Sequence, residues 1–197
     1  MSEGATTKGY ISITGDRADP GLYNNLNDPL FEDIPTLGAC MPNLREWVDP
    51  GDYLFVISGK APGVQQYVIG GMRVAEKIDA LAAHGRFPGN RLRIGEDGLL
   101  KGNVVVSPDG TKHPLDKHKL ERFENRIQNF IVGADAVSLK SEREVALGRE
   151  QSLRKLSEIF DRPGNRAFDI IGRQRKLDED QINGLMEWLR GIKAAAE

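Results

Sequence analysis

The sequence predicts an α+β protein. The expected architecture is a small, mostly antiparallel β-barrel or curved sheet with helices packed outside and a helix-rich C-terminal half. Three observations predict it. Runs of β-branched and aromatic residues crowd the first half, which marks strands. Apolar residues at three- and four-residue spacing dominate after residue 115, which marks amphipathic helices. The strand candidates are short and separated by Gly and Pro turns rather than by helices, which disfavours a parallel doubly wound sheet.

The elements follow in order. "GYISITG" (9–15) alternates Tyr10, Ser12 and Thr14 with Ile11 and Ile13, a short strand. Residues 16–38 are rich in Asp, Asn, Pro and Gly and read as a loop. Unstructured loops beyond about 12–15 residues tend to be functional or disordered. Leu22, Tyr23, Leu26, Leu30, Phe31 and Ile34 give this one apolar anchors, so packing is expected. "DYLFVISG" (52–59) is a strand launched by a Gly51-Asp52 turn, and "KAPG" (60–63) is the turn after it. "QYVIGGMRVAEKI" (66–78) is a strand leading to a short helix at 79–85. Gly70 and Gly71 inside it mark a bulge or a close backbone approach. "LRI" and "GNVVVSPDG" (102–110) are shorter strand candidates. A helix is predicted over 115–131, an extended segment over 130–140 and a helix over 149–160. "AFDIIG" (167–172) reads as a last short strand. Residues 178–197 form the clearest helix, with Asp178 and Gln181 matching a capping box and Ile182, Leu185, Met186, Leu189 and Ile192 forming one stripe. A chain of 197 residues reads as one domain, with 9–139 the core and 140–197 a helical extension packed on it.

Charge is spread unevenly. The net charge is −2, which excludes a uniformly basic nucleic-acid binder but allows local patches. Residues 1–52 hold three Lys/Arg against nine Asp/Glu. Residues 86–126 hold nine basic against six acidic groups, and 162–176 hold five against Asp169 alone. Those later segments are the candidate phosphate-facing side. Cys40 is the single cysteine, so no intrachain disulfide forms and a reducing compartment is expected. The N-terminal residues lack a signal-peptide core, and no apolar run approaches the roughly 20 residues of a membrane helix. The expectation is a cytoplasmic protein without membrane contact.

Few motifs carry chemistry. "SGKAPG" (58–63) has Gly and Lys but lacks the phosphate-loop spacing and its Ser/Thr. It reads as a turn from which Lys60 can meet an anion. "HPLDKH" holds His113, Asp116 and His118 without a third or fourth metal ligand, so no metal is expected and His118 is a candidate phosphate or base contact. Cys40 is a candidate nucleophile with Arg45 as the nearby cation, beside the alternative of a small buried hydrophobe. The loop carboxylates Asp16, Asp19, Asp28, Glu32 and Asp33 offer acid, base or recognition groups, or only turn chemistry. Trp47 and Tyr53 are candidate base-stacking rings, with core packing the alternative. No cofactor is called for.

The segments "TLGACMPNLRE", "PGDYLFVISG" and "YVIGGMRVAEKI" together resemble the second nucleotide modification associated domain family. The matching residues are Thr36, Leu37, Cys40, Pro42, Leu44, Arg45, Gly51, Asp52, Ser58, Gly59, Met72 and Val74. "GNVVV", His118 and "FIVG" extend the match, which is clearest over 36–78 within roughly 9–139. The early loop departs from the family pattern. The Gly-Asp turn and the two strands also resemble the PUA-like superfamily, including the EVE, ASCH and YTH domains. The resemblance implies a PUA-like core that binds DNA, RNA or a free nucleotide, with a modified base as a candidate ligand, in a setting of DNA modification. Asp16, Cys40, Arg45, Trp47, Tyr53, Ser58, Gly59, Lys60 and His118 are the implied ligand-binding set. Two alternatives stand beside it. One is an enzyme of nucleobase modification using Cys40 or Asp16. The other is a partner-binding accessory protein whose helices expose apolar stripes.

Overall fold

The computed structural model describes residues 7–15 and 18–197. It is α+β. The strands are β1 (Gly9–Ile13), β2 (Thr36–Leu37), β3 (Tyr53–Ile57), β4 (Val68–Ile78), β5 (Arg93–Ile94), β6 (Leu100–Lys101), β7 (Phe130–Ser138) and β8 (Gln174–Leu177). The α-helices are α1 (Pro20–Tyr23), α2 (Pro42–Trp47), α3 (Ala80–Arg86), α4 (Phe123–Ile127), α5 (Glu142–Phe160), α6 (Ala167–Ile171) and α7 (Glu179–Ala196). Six strands form a mixed sheet in the order β2-β7-β4-β3-β1-β8, and β5 and β6 form a separate hairpin. β1 runs parallel to β3. β8 is antiparallel to β1, β4 to β3, and β2 to β7.

Of the two expected arrangements, a barrel or a curved sheet, the closed barrel does not form. Among the described residues the sheet is open, with β2 and β8 at its edges. A barrel needs edge strands long enough to pair and stagger around the circumference. Here the edges are two and four residues long.

The described residues divide into two compact units. One draws on residues 1–25, 51–73 and 135–197. In it β1, β3 and β8 pair as above, and Ile11, Leu54, Phe55, Val56, Tyr67 and Val68 are buried. Leu156 and Phe160 of α5 and the whole predicted stripe of α7 are buried too. Gly71 lies against the Phe55 ring so closely that an added Cβ would sit 2.4 Å from it. Gly70 is 2.5 Å from the Val137 carbonyl by the same measure, so the predicted close approach is met. The pairing of β3 with β4 also shifts register between Val56 and Ile57, a local bulge.

The other unit takes residues 26–50 and 74–134. Its core gathers Ala39, Ala83, Leu92, Val104, Val105, Val106, Phe123 and Phe130. Phe87 stacks on Phe130 at 6.0 Å between centroids. "VVV", a predicted strand, is buried, but it makes isolated bridges (Arg91 with Val104, Val106 with Lys112) rather than a strand.

Two local expectations are corrected. Residues 115–131 do not form one helix. A 3₁₀ turn (Leu120–Arg122) precedes α4, and Leu120 is 71% exposed. The segment begins with Asp116 accepting from the His118 N–H at 3.1 Å, a local turn that competes with helix formation. Residues 167–171 form α6 rather than a strand. Ala167, Ile170 and Ile171 are buried and Phe168 is exposed, a helical spacing in a stretch too short to distinguish from alternation. Asp169 fixes the start by accepting from the Arg166 N–H at 3.1 Å. The edge strand β8 follows, in a polar stretch, "QRKL", that carries no strand pattern of its own.

Candidate functional site

In the second unit, Asp28 organises the segment 38–40. It is buried, and its Oδ1 accepts from the Gly38 N–H at 2.7 Å and from Asn103 Nδ2 at 3.0 Å. Its Oδ2 accepts from Ala39 N at 2.8 Å and from Cys40 N. Asn103 and Asn90 both donate to Thr36 Oγ1, at 3.0 and 2.9 Å. Burial pushes the Asp28 carboxyl above the ordinary range, against the opposing pull of the Cys40 and Gly38 N–H groups, Arg45 and Asn103. Burial, then the Asp28 charge, push the Cys40 thiol up to about 12. Cys40 is therefore a protonated thiol at neutral pH, although its side chain is only partly buried.

Arg45 sits on α2, whose first position is Pro42, a residue suited to a helix start. Its guanidinium is wholly buried and is saturated by main-chain carbonyls. Nε donates to Cys40 O at 3.0 Å. Nη1 donates to Asn129 O at 3.1 Å and to Gln128 O. Nη2 donates to Arg126 O at 3.2 Å and Ala39 O at 3.4 Å. Burial lowers its pKa to about 10, so it stays charged at neutral pH. It joins 39–40 to 126–129. Trp47 closes α2 at 42% exposure. His118 Nδ1 lies 2.5 Å from Oδ1 of the buried Asp116.

In the first unit, Tyr53 is half-buried and stacks on Phe55 at 6.5 Å. Asp52, behind the Gly51 turn, is buried and pairs with Lys8 at 3.4 Å, which accounts for the Gly-Asp signal. Ser58 is wholly buried. It ties β3 to the start of β4, its Oγ accepting from Tyr67 N at 3.1 Å. Gly59 N donates to Ala18 O at 2.9 Å. Lys60 is exposed. Asp16 lies outside the described residues.

The carboxyl ends of the parallel pair β1 and β3 bring together residues that share no sequence motif. Asp19, wholly buried, accepts from Arg149 Nη2 of α5 at 2.7 Å through Oδ1. Arg149 Nη1 donates to Gln65 O at 2.6 Å, and its guanidinium lies 4.7 Å over the Tyr67 ring. Gly21 lets α1 lie on this cluster. A Cβ there would be 2.6 Å from Val145, 3.2 Å from the Tyr67 hydroxyl and 3.3 Å from Arg149. Asp19 Oδ2 and the Tyr67 hydroxyl are buried with no partner in good hydrogen-bond geometry, the Gly21 N–H being the nearby backbone donor to the phenol. Burial, then the Asp19 charge, raise the Tyr67 phenol to about 12, so it is neutral. Arg173 completes this end. It is exposed, and its carbonyl accepts from Ile13 N at 3.1 Å. Asp19 was one of five candidate loop carboxylates. Tyr67 and Arg149 carried no motif, and Arg149 lies 130 residues from Asp19 along the chain.

No family model matches the chain, and comparison with curated proteins and with solved structures returns no match. No helix among the described residues is long and apolar enough to cross a membrane.

Proposed function

We propose that the chain is a nucleotide-binding domain that takes a free nucleotide, or a nucleotide of DNA or RNA, at the carboxyl ends of β1 and β3. The observation that carries this reading is the pair of buried polar atoms without partners, Asp19 Oδ2 and the Tyr67 hydroxyl. Buried polar groups are nearly always satisfied, so an exception calls for a ligand or a water. The carboxylate oxygen accepts from an amino, imino or ribose hydroxyl group. The neutral phenol donates or accepts. Lys60 and Arg173, exposed at the same end, supply cations for phosphate. Ligands of sheets with parallel strands commonly sit beyond the strands' carboxyl ends. The resemblance of residues 36–78 to the second nucleotide modification associated domain family supports a nucleotide as the ligand class, and a modified base remains part of the reading. In this reading Ser58 and Gly59 shape the loop rather than touch the ligand, and a PUA-like ancestry rests on sequence likeness alone.

Calorimetric titration with the four mononucleotides, and with modified and unmodified short oligonucleotides, tests it. Binding is expected at low salt, weakened about tenfold or more by Asp19→Asn, as fits a lost charge-assisted hydrogen bond. Lys60→Ala is expected to weaken binding and flatten its salt dependence. Absence of binding to every probe at low salt overturns the proposal.

A further inference from the structure

We infer that residues 112–122 form a second site, one that grips the phosphodiester backbone of a nucleic acid. The argument begins with cations that the fold has left unused. Of the nine basic residues in 86–126, several are already engaged. Arg86 pairs with Glu76, Lys101 with Asp97, and Lys112 with Asp116. Arg91 donates to His84 O, Arg93 to Gly89 O and Arg126 to Ala39 O. Lys117, Lys119 and Arg122 are exposed and have no partner among the described residues. They stand within six residues of one another, in a segment held by a 3₁₀ turn rather than a regular helix.

His118 sits between the two lysines, and it is fixed rather than free. Its Nδ1 is 2.5 Å from Asp116 Oδ1, and the Asp116 side chain is only 2% exposed. The Asp116 carboxylate also accepts from the His118 main-chain N–H at 3.1 Å. A buried carboxylate that holds one imidazole nitrogen leaves Nε2 for an outside partner. The imidazole is 36% exposed, so a phosphate oxygen can reach it. Three unpaired cations beside an oriented imidazole match the spaced anions of a polynucleotide. The chain's overall charge of −2 makes this local excess selective rather than general.

The probe is a fluorescent abasic 20-nucleotide deoxyribose-phosphate chain, which carries the backbone but no bases, so a base pocket cannot contribute. Anisotropy titrations of the full chain compare wild type with the Lys117→Ala/Lys119→Ala/Arg122→Ala variant and with His118→Ala. Binding by the wild type is expected. The triple variant should bind about tenfold or more weakly, with the slope of log K against log salt reduced by about 2, from roughly 0.7 for each phosphate contact on a single strand. His118→Ala should weaken binding severalfold in protein that circular dichroism shows to be folded, with some loss of stability expected because the buried Asp116 loses a partner. No wild-type binding overturns the inference, as does unchanged affinity and slope in the triple variant. Displacement of the probe by poly-glutamate as readily as by unlabelled polynucleotide also overturns it, in favour of an acidic protein partner. None of these outcomes bears on the mononucleotide titration that tests the site at Asp19.

Discussion

Tyr67 separates a residue's use for stability from its use for binding. Its hydroxyl is buried without a partner, and such a group costs about 1–3 kcal/mol of desolvation. Its ring is a different matter, being wholly buried and covered by the Arg149 guanidinium. Tyr67→Phe keeps the ring and removes the orphan. The variant is expected to be as stable as wild type or up to about 1 kcal/mol more stable in urea unfolding. Nucleotide affinity is expected to fall at the same time. A clear loss of stability would show that the hydroxyl is satisfied internally, and the site would lose one of its two defining atoms. At this scale the sequence is legible in residue type and blind to partnership. Asp19 and Asp28 stand among several loop carboxylates that look alike, yet these two are buried and the exposed Glu32 and Asp33 are not. Arg45 reads as a phosphate-binding cation until its five carbonyl partners are seen, and three of those come from residues 126–129. Partners so distant in sequence leave no local pattern.

Among the elements, those whose ends are fixed by neighbours in sequence were the readable ones. The capping box of α7 is present as read, Gln181 N donating to Asp178 Oδ1 at 2.9 Å. The equivalent box of α5 has no such signal around it, because its first turn, "EREV", has no apolar periodicity. Glu144 closes that box and also reaches Lys193 at 2.7 Å, tying the start of α5 to the end of α7. Burial works against its charge, but Lys193 and the N–H groups of Lys140 and Ser141 outweigh burial and hold the carboxyl below the ordinary glutamate range. A depressed folded-state pKa stabilises the fold above the unfolded pKa. That contribution fades as pH falls through the folded value. Glu144→Gln keeps a capping-box acceptor but loses the charge, so it should be less stable than wild type at pH 7 by up to about 1 kcal/mol, for the partly exposed ion pair with Lys193. The gap between their urea midpoints should close as pH is lowered through the carboxylate range. A gap that stays constant with pH would mean that the Glu144 charge contributes nothing. The failures at 115–131 and 167–172 have a common cause. Short apolar stretches fit either period, and only burial of particular side chains selects one.

For the whole molecule, the sequence shows where strands give way to helices but not which helices complete which sheet. Residues 140–197 read as an extension laid on a finished core. In the structure the unit built on β1 and β3 draws on three stretches of chain, and 135–197 is the longest of them. β8 pairs with β1 over four residues, with α6 before it and α7 after it in the chain. Gly9 approaches Ile182 so closely that a Cβ would lie 2.9 Å from its side chain, so β1 and α7 share one interior. The α7 stripe alone buries Ile182, Leu185, Met186, Leu189 and Ile192. Each such side chain contributes about 1.5–3 kcal/mol when fully buried. Five of them together rival the roughly 5–15 kcal/mol of net stability typical of a domain. A chain ending at residue 139 would keep β1, β3 and β4 but lose every helix of that unit except α1. It is expected to lack a cooperative thermal transition and to bind the dye ANS, whereas the full chain is expected to melt cooperatively and not to bind it. Circular dichroism melts of both lengths decide the matter. A sharp transition in the shorter chain would show that residues 1–139 carry a self-sufficient core and that the later helices are an addition to it.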